Sequence, residues 1–223
     1  LIKVLGELNN SKARRMLSEV LLVIGKGNLE LITPFIDDHR WYLVRNVAYI
    51  LGRIGKEASL PAIQKALNHN EARVRREAIQ ALGLLGGSKA FELMGKTLRD
   101  EDFRNRSMAA LNLARVGKKA SLPALLEVVQ AKDFSKRDAS EIKAFFDAVG
   151  MTGANEAIKP LQKLLEQKSW FGTGGKDDIR LGAAGALALI GTSEAKSILQ
   201  AGLNSKDESV RLACFQASRR QTP

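Results

Sequence analysis

The chain has 223 residues, of which 45% are hydrophobic and 26% are charged, and its formal net charge is +11 at pH 7. This composition excludes a disordered chain and suffices for a buried core. No unbroken apolar run approaches the roughly 18 residues of a membrane span. The single cysteine, Cys214, excludes a disulfide within the chain, so a reducing, cytoplasmic location is expected. The net charge favours an acidic partner.

A short segment of the sequence occurs twice in nearly the same form. "GKEASLPAI" begins at Gly55 and "GKKASLPAL" begins at Gly117, 62 positions later. An aliphatic segment that ends in glycine also stops halfway between them, at Gly86, so the true period is 31 residues. Similar segments end at Gly25, Gly153 and Gly191.

Each unit predicts two helices and two turns. The first helix opens at Ser-Leu-Pro, where Ser suits the N-cap and Pro suits the first turn. The second helix is "VRREAIQALGLLG", with apolar residues at steps of three and four up to a terminal glycine. Small residues at fixed positions, such as Ala78, Ala81 and Gly83, predict a close approach between neighbouring helices.

In chain order, the repeats predict one domain, 1–223, with units at 1–28, 29–58, 59–88, 89–120, 121–154, 155–193 and 194–223. Two of these units depart from the pattern. One contains "AKDFSKRDASEIKAFFDAVG", with Phe145 where Ala is usual, and the next carries an insertion with Trp170 and Phe171. The insertion, 170–178, is interpreted as either a binding loop or a packing plug. Its "GTGGK" lacks the spacing of a phosphate-binding loop.

The segments "VRREAIQALGLLG", "WYLVRNVAYILGRIG" and "IRLGAAGALALIG" resemble HEAT repeats, in particular the short bacterial HEAT-like repeats first described in phycobilisome lyases. The resemblance covers nearly the whole chain. It implies an all-α fold, a right-handed α-α superhelix of about six helical pairs in which the second helices line the concave side. It also implies that the chain binds other macromolecules.

One arginine recurs in the Val-Arg pair of the second helices, at Arg14, Arg75, Arg106, Arg180 and Arg211. Acidic residues precede several members of this set, so we expect a structural ladder of ion pairs. A ladder of phosphate contacts is the alternative.

The next helical position predicts the partner-binding face. Its basic members are Arg15, Arg45, Arg76 and Lys143, and Tyr49 lies one turn beyond Arg45. Trp41 and Tyr42 join the predicted binding set, because Trp, Tyr and Arg are common interface anchors. The alternatives are a solvated face and a Trp41 packed over the preceding turn.

No catalytic constellation and no metal-ligand spacing is evident from the sequence, so no enzyme activity, cofactor or metal is predicted. The expected function is a non-enzymatic scaffold that binds an acidic protein or peptide along its concave face. Binding of duplex DNA through a basic groove remains an alternative. A chromophore-handling role, by analogy with the phycobilin lyases, is a third.

Overall fold

The computed structural model describes residues 1–8, 10–167 and 176–219. In these residues the chain is helical and contains no strand, which confirms the predicted all-α class. The chain divides into two compact units, Leu1–Asn112 and Leu113–Pro223. None of the described helices has the length and hydropathy that crossing a membrane requires.

The first unit consists of six helices and the start of a seventh. These are α1 Ile2–Leu5, α2 Ser11–Gly25, α3 Trp41–Ile54, α4 Leu60–Leu67, α5 Ala72–Leu85, α6 Gly87–Thr97 and α7 Phe103–Gly117, which continues past Asn112. Short 3-10 turns at Leu29–Leu31 and Thr33–Asp37 stand where a first helix was expected. α3 packs against α5, and α4 packs against both α3 and α5.

The second unit repeats this order with longer connections. Its helices are α8 Leu122–Val129, α9 Ala139–Met151, α10 Ile158–Glu166, α11 Lys176–Ile190, α12 Ser193–Gly202 and α13 Glu208–Arg219. α11 packs between α9 and α13. The insertion between α10 and α11 falls on residues outside the described part, so the choice between a binding loop and a plug is still a prediction.

The predicted helix ends are confirmed at Gly55, Gly86, Gly153 and Gly191, which follow their helices with positive φ, but not at Gly25 and Gly117, which remain in α2 and α7. Gly55 ends α3 in the left-handed conformation, at φ 72°. Gly117 instead remains in α7, and the left-handed residue is Lys118, at φ 44°.

The N-cap prediction for the Ser-Leu-Pro serines is wrong. Ser59 and Ser121 have helical backbone angles because each continues a 3-10 turn, and neither side chain caps its helix.

The close helix approach predicted from small residues occurs between α3 and α5. A Cβ atom added to Gly52 would lie 2.6 Å from the Cβ of Ala81 and 2.7 Å from its Cα. Neither position can give way by rotating a side chain, so only glycine fits at residue 52.

The irregular unit near Phe145 is packed by aromatic rings. Phe134 meets Phe145 and Phe146 edge to face, with ring centroids 5.6 and 6.0 Å apart, and all three are buried. A Cβ on Gly182 of α11 would lie 2.1 Å from the Phe146 ring, so this glycine makes room for the larger residues of α9.

The predicted structural ladder is confirmed at Arg75 and Arg180, although their acidic partners differ from those expected. Arg75 donates two hydrogen bonds to Asp100, at 2.8 and 2.9 Å, and two more to carbonyl oxygens of the preceding turn. In the second unit, Arg180 pairs with Asp207 at 2.8 Å. The partner comes from the following repeat rather than from the acid just before the arginine, so the pairs link repeats together.

We expect Gly52→Ala to lower the free energy of unfolding by about 1–3 kcal/mol, because the added methyl group overlaps Ala81. The matched control is Gly95→Ala in α6, where an added Cβ meets no atom within 4 Å. That change should raise stability by roughly 0.5–1 kcal/mol through helix propensity. Urea denaturation of the two variants measures both effects, and equal stabilities would contradict the close packing.

We expect Arg75→Gln to lower the free energy of unfolding by about 3 kcal/mol, because Asp100 is then left buried without its partner. Burial acts to raise the pKa of Asp100, and the Arg75 hydrogen bonds hold it below its ordinary value. Lys65→Gln is the control. Its pair with Asp37 is about 60% exposed on both sides, so the loss should stay under about 1 kcal/mol.

Candidate protein-binding face

One face of α3 carries alternating aromatic and cationic side chains. Trp41, Arg45, Tyr49 and Arg53 follow at steps of four, and we call them the α3 stripe. The Arg45 guanidinium lies 5.8 Å from the Trp41 ring centroid, and that of Arg53 lies 6.0 Å from the Tyr49 ring. The i, i+4 spacing thus places each cation beside the aromatic ring one turn earlier.

Trp41 also joins two repeats. The guanidinium of Arg73, at the start of α5, stacks 3.9 Å from the Trp41 ring centroid. Glu71 accepts two hydrogen bonds from the Arg73 side chain, at 2.9 and 3.2 Å, and these hold the pKa of Glu71 at about 2. Tyr42 meets Trp41 edge to face at 5.9 Å. Trp41 therefore packs against the next repeat, while remaining half-buried.

Three successive second helices line one cavity of about 280 Å³. We call it the arginine cavity; it is lined by Arg14, Arg15, Ser18, Arg45, Asn46, Tyr49 and Glu77. Three of the residues predicted to bind a partner, Arg15, Arg45 and Tyr49, thus share one site formed by α2 and α3. Glu77 from α5 completes its wall.

Two polar groups of this cavity lack partners within the described residues. The Nδ2 atom of Asn46 is buried without a hydrogen bond, although its Oδ1 accepts one from Arg45 at 3.3 Å. The Glu77 carboxylate has neither an ion pair nor a hydrogen bond with any described residue. Burial raises the pKa of Glu77, and the nearby charge of Arg45 partly offsets this. The cavity therefore holds a buried donor and three guanidinium groups against a single carboxyl group.

Arg14 departs from the structural ladder to which the sequence assigned it. Its guanidinium makes no ion pair within the described part of the chain. The acids of the following repeat are already engaged, since Asp37 pairs with Lys65 and Asp38 with Arg40. Arg14 consequently lines the cavity instead of linking repeats.

The two remaining predicted site residues lie elsewhere. The Arg76 guanidinium donates to Asn105 at 3.1 Å and to Asp102 at 3.4 Å, so part of its hydrogen-bonding capacity is used within the unit. Lys143 belongs to the second unit and pairs with Asp147 one turn away on α9. The structure thus groups Arg15, Arg45 and Tyr49, and places Arg76 and Lys143 outside that cavity.

Sequence reasoning missed Arg73, Asn46 and Glu77. The repeat register could have found Glu77, because it follows Arg76 directly and stands one turn before the close-packed Ala81. Nothing in the local sequence indicated that Arg73 would stack on a ring 32 positions earlier. The apolar side of α2 was also missed, where Met16, Val20 and Val23 are exposed at steps of four and three.

We expect Glu77→Gln to stabilise the protein at pH 7, because the folded state raises the pKa of this carboxyl and its ionised form is unfavourable. The gain should disappear below about pH 4, where Glu77 is protonated in both the folded and the unfolded state. Thermal unfolding at the two pH values measures it. The exposed Glu19→Gln is the control, and a loss of stability at pH 7 would contradict the assignment.

The comparisons with known proteins agree with the repeat pattern. Residues 61–145 match HEAT repeats, and residues 43–69 match the PBS lyase HEAT-like repeat. A curated relative is phycocyanobilin lyase subunit alpha of Nostoc sp. PCC 7120, which is 32% identical over 128 residues. The alignment covers 51% of this chain and 46% of the relative, so the chain spans about half the length of that protein.

A solved structure gives the same indication. A chain in the complex of CpcE and CpcF of phycocyanin lyase from Nostoc sp. PCC7120 matches with a TM-score of 0.54 and 26% identity. The match covers 83% of this chain and 74% of the other.

Both relatives are parts of lyases, and this contradicts the prediction of a non-enzymatic protein. The prediction was wrong because it was based only on the lack of a recognisable set of catalytic residues in this sequence. The family models thus place HEAT repeats within residues 43–145, one of them of the PBS lyase HEAT-like type.

Proposed function

We propose that the chain is one subunit of a lyase that acts on phycocyanobilin and that it works in complex with a second protein. The observation that carries this proposal is the match to a subunit of the CpcE–CpcF complex over most of the chain. The alignment with phycocyanobilin lyase subunit alpha supports the same substrate.

The face formed by α2, α3 and the start of α5 is the proposed contact with the partner protein. It consists of the α3 stripe and the arginines of the arginine cavity. Aromatic and arginine anchors supply most of the binding energy of typical interfaces. Because Trp41 is already held by Arg73 and Arg45, it can be buried by a partner with little loss of side-chain entropy.

The charges of this face favour an acidic partner. Arg15 is exposed and without an ion pair in the described residues, and Arg45 makes only the bond to Asn46 and the contact with Trp41. Such cations steer an acidic surface and increase the association rate. Arg76 is proposed as a peripheral contact, since its charge is partly neutralised by Asp102. Lys143, whose charge is partly neutralised by Asp147, is proposed as a separate contact on the second unit.

A direct test of substrate binding uses phycocyanobilin itself. The purified chain, alone and with Nostoc CpcF, is mixed with the chromophore, and its visible absorption and induced circular dichroism are recorded. A change in band position or shape is expected, because a bound bilin is held in one conformation. An unchanged spectrum under both conditions would contradict the proposed substrate.

We expect Arg15→Glu combined with Arg45→Glu to weaken the complex with CpcF by at least about tenfold, because both charges are reversed on the proposed contact. Arg104→Glu is the control, since Arg104 is exposed on α7 and stacks only on Phe103. Sedimentation velocity measures the complexes, and far-UV circular dichroism checks the fold. Equal affinity of the two variants would exclude this face.

The same preparation tests the alternative of nucleic-acid binding. Labelled duplex DNA is titrated at about 50 and 200 mM salt, since phosphate contacts weaken steeply over this range. Micromolar binding to DNA that is lost in the Arg15→Glu and Arg45→Glu variant, without any binding to CpcF, would favour that alternative.

A further inference from the structure

The arginine cavity has the composition of an anion site. Three arginines line it, Arg14 and Arg15 on α2 and Arg45 on α3. None of the three makes a salt bridge with a carboxylate in the described part of the chain. Guanidinium groups in such a setting bind carboxylate or phosphate oxygens in pairs.

One further polar group of the cavity is incompletely satisfied. The Asn46 side chain lines the cavity, and its Nδ2 atom is buried with no hydrogen-bond acceptor in reach among the described residues. Exchanging the two ends of the amide would not remove the deficit, because Arg45 already donates to Oδ1. A buried unsatisfied donor costs about 1–3 kcal/mol. Because this atom is buried, an anion in the cavity gains its hydrogen bond only if the Asn46 side chain rotates, so Arg15 and Arg45 are the primary donors.

The remaining groups add selectivity. Tyr49 offers a hydroxyl group that can donate to an oxyanion, whereas the Ser18 hydroxyl already donates to the Arg14 carbonyl at 2.9 Å and is not available as a donor. Glu77 is the single acidic side chain in the wall, so an ionised Glu77 opposes a bound anion and a protonated one can donate to it. The cavity volume of about 280 Å³ suits a small group rather than a whole chromophore.

We propose that the arginine cavity binds an oxyanion, a carboxylate or phosphate group, held by Arg15 and Arg45, with the Asn46 side chain beside it. This inference concerns the chain alone and needs neither the partner protein nor phycocyanobilin, so it stands or fails separately from the proposed function. The group would belong either to a free small molecule or to an acidic side chain of the partner.

The test uses succinate and inorganic phosphate as probes at low ionic strength, with the full chain and no partner present. Isothermal titration gives the affinity, and the side-chain amide signals of Asn46 in a ¹H–¹⁵N spectrum report contact at the cavity. Saturable binding with a shift of those signals is expected. Absence of binding by both probes, or binding without a shift at Asn46, would overturn the proposal.

Two substitutions should move the affinity in opposite directions. Arg45→Gln is expected to weaken binding by about tenfold or more, since a charged hydrogen-bond donor is lost. Glu77→Gln should strengthen binding several-fold at pH 7, because a like charge is removed from the wall. Arg104→Gln is the matched control. An unchanged affinity in the first two variants would overturn the site, and Glu77→Gln remains informative if Arg45→Gln fails to fold.

Competition identifies the source of the oxyanion. If CpcF binds and displaces succinate from the chain, the cavity receives an acidic side chain of the partner. If succinate and CpcF bind together, the cavity serves a free small molecule. Both results confirm the chemistry of the site and separate its two sources.

Discussion

The close contact between α3 and α5 fixes the positions of the polar side chains on both helices that line the arginine cavity. Gly52 touches the backbone of Ala81, so no side chain separates the two helices there. Arg45 and Tyr49 lie on the same side of α3 as Gly52, and Glu77 stands one turn before Ala81 on α5. The positions that flank this contact therefore line the arginine cavity, and the packing that holds two repeats together also brings their polar residues into one site.

The charges of the first unit divide into two groups. Arg75 links two repeats, because it donates two hydrogen bonds to Asp100 of the next repeat. Arg14 stands at the equivalent position of α2 but lacks such an acid, since Asp37 and Asp38 are taken by Lys65 and Arg40. The unit consequently links its later repeats with ion pairs and leaves uncompensated positive charge at α2 and α3. This charge lies beside the rings of Trp41 and Tyr49, so one partner surface can contact both the cations and the rings.

The 31-residue period was enough to predict most of the helices, most of their terminal glycines and the tight packing at small residues, because these depend on local conformation and on register. It could not predict which groups meet across repeats. The stacking of Arg73 on Trp41, the accommodation of Phe146 by Gly182 and the isolation of Glu77 all depend on side chains more than 30 positions apart. The period also led to the assignment of Arg14 to the structural ladder. It identifies equivalent positions in the repeats, but it does not show whether an acidic partner is available at each of them.

Hydroxyl-radical footprinting of the chain with and without CpcF tests the central claim most directly. Trp41 and Tyr49 are reactive side chains on the proposed face, whereas Met151 and Phe215 are exposed on the second unit. We expect CpcF to protect the first two and to leave the other two unchanged. Protection confined to Met151 and Phe215 would contradict it and move the partner contact to the second unit.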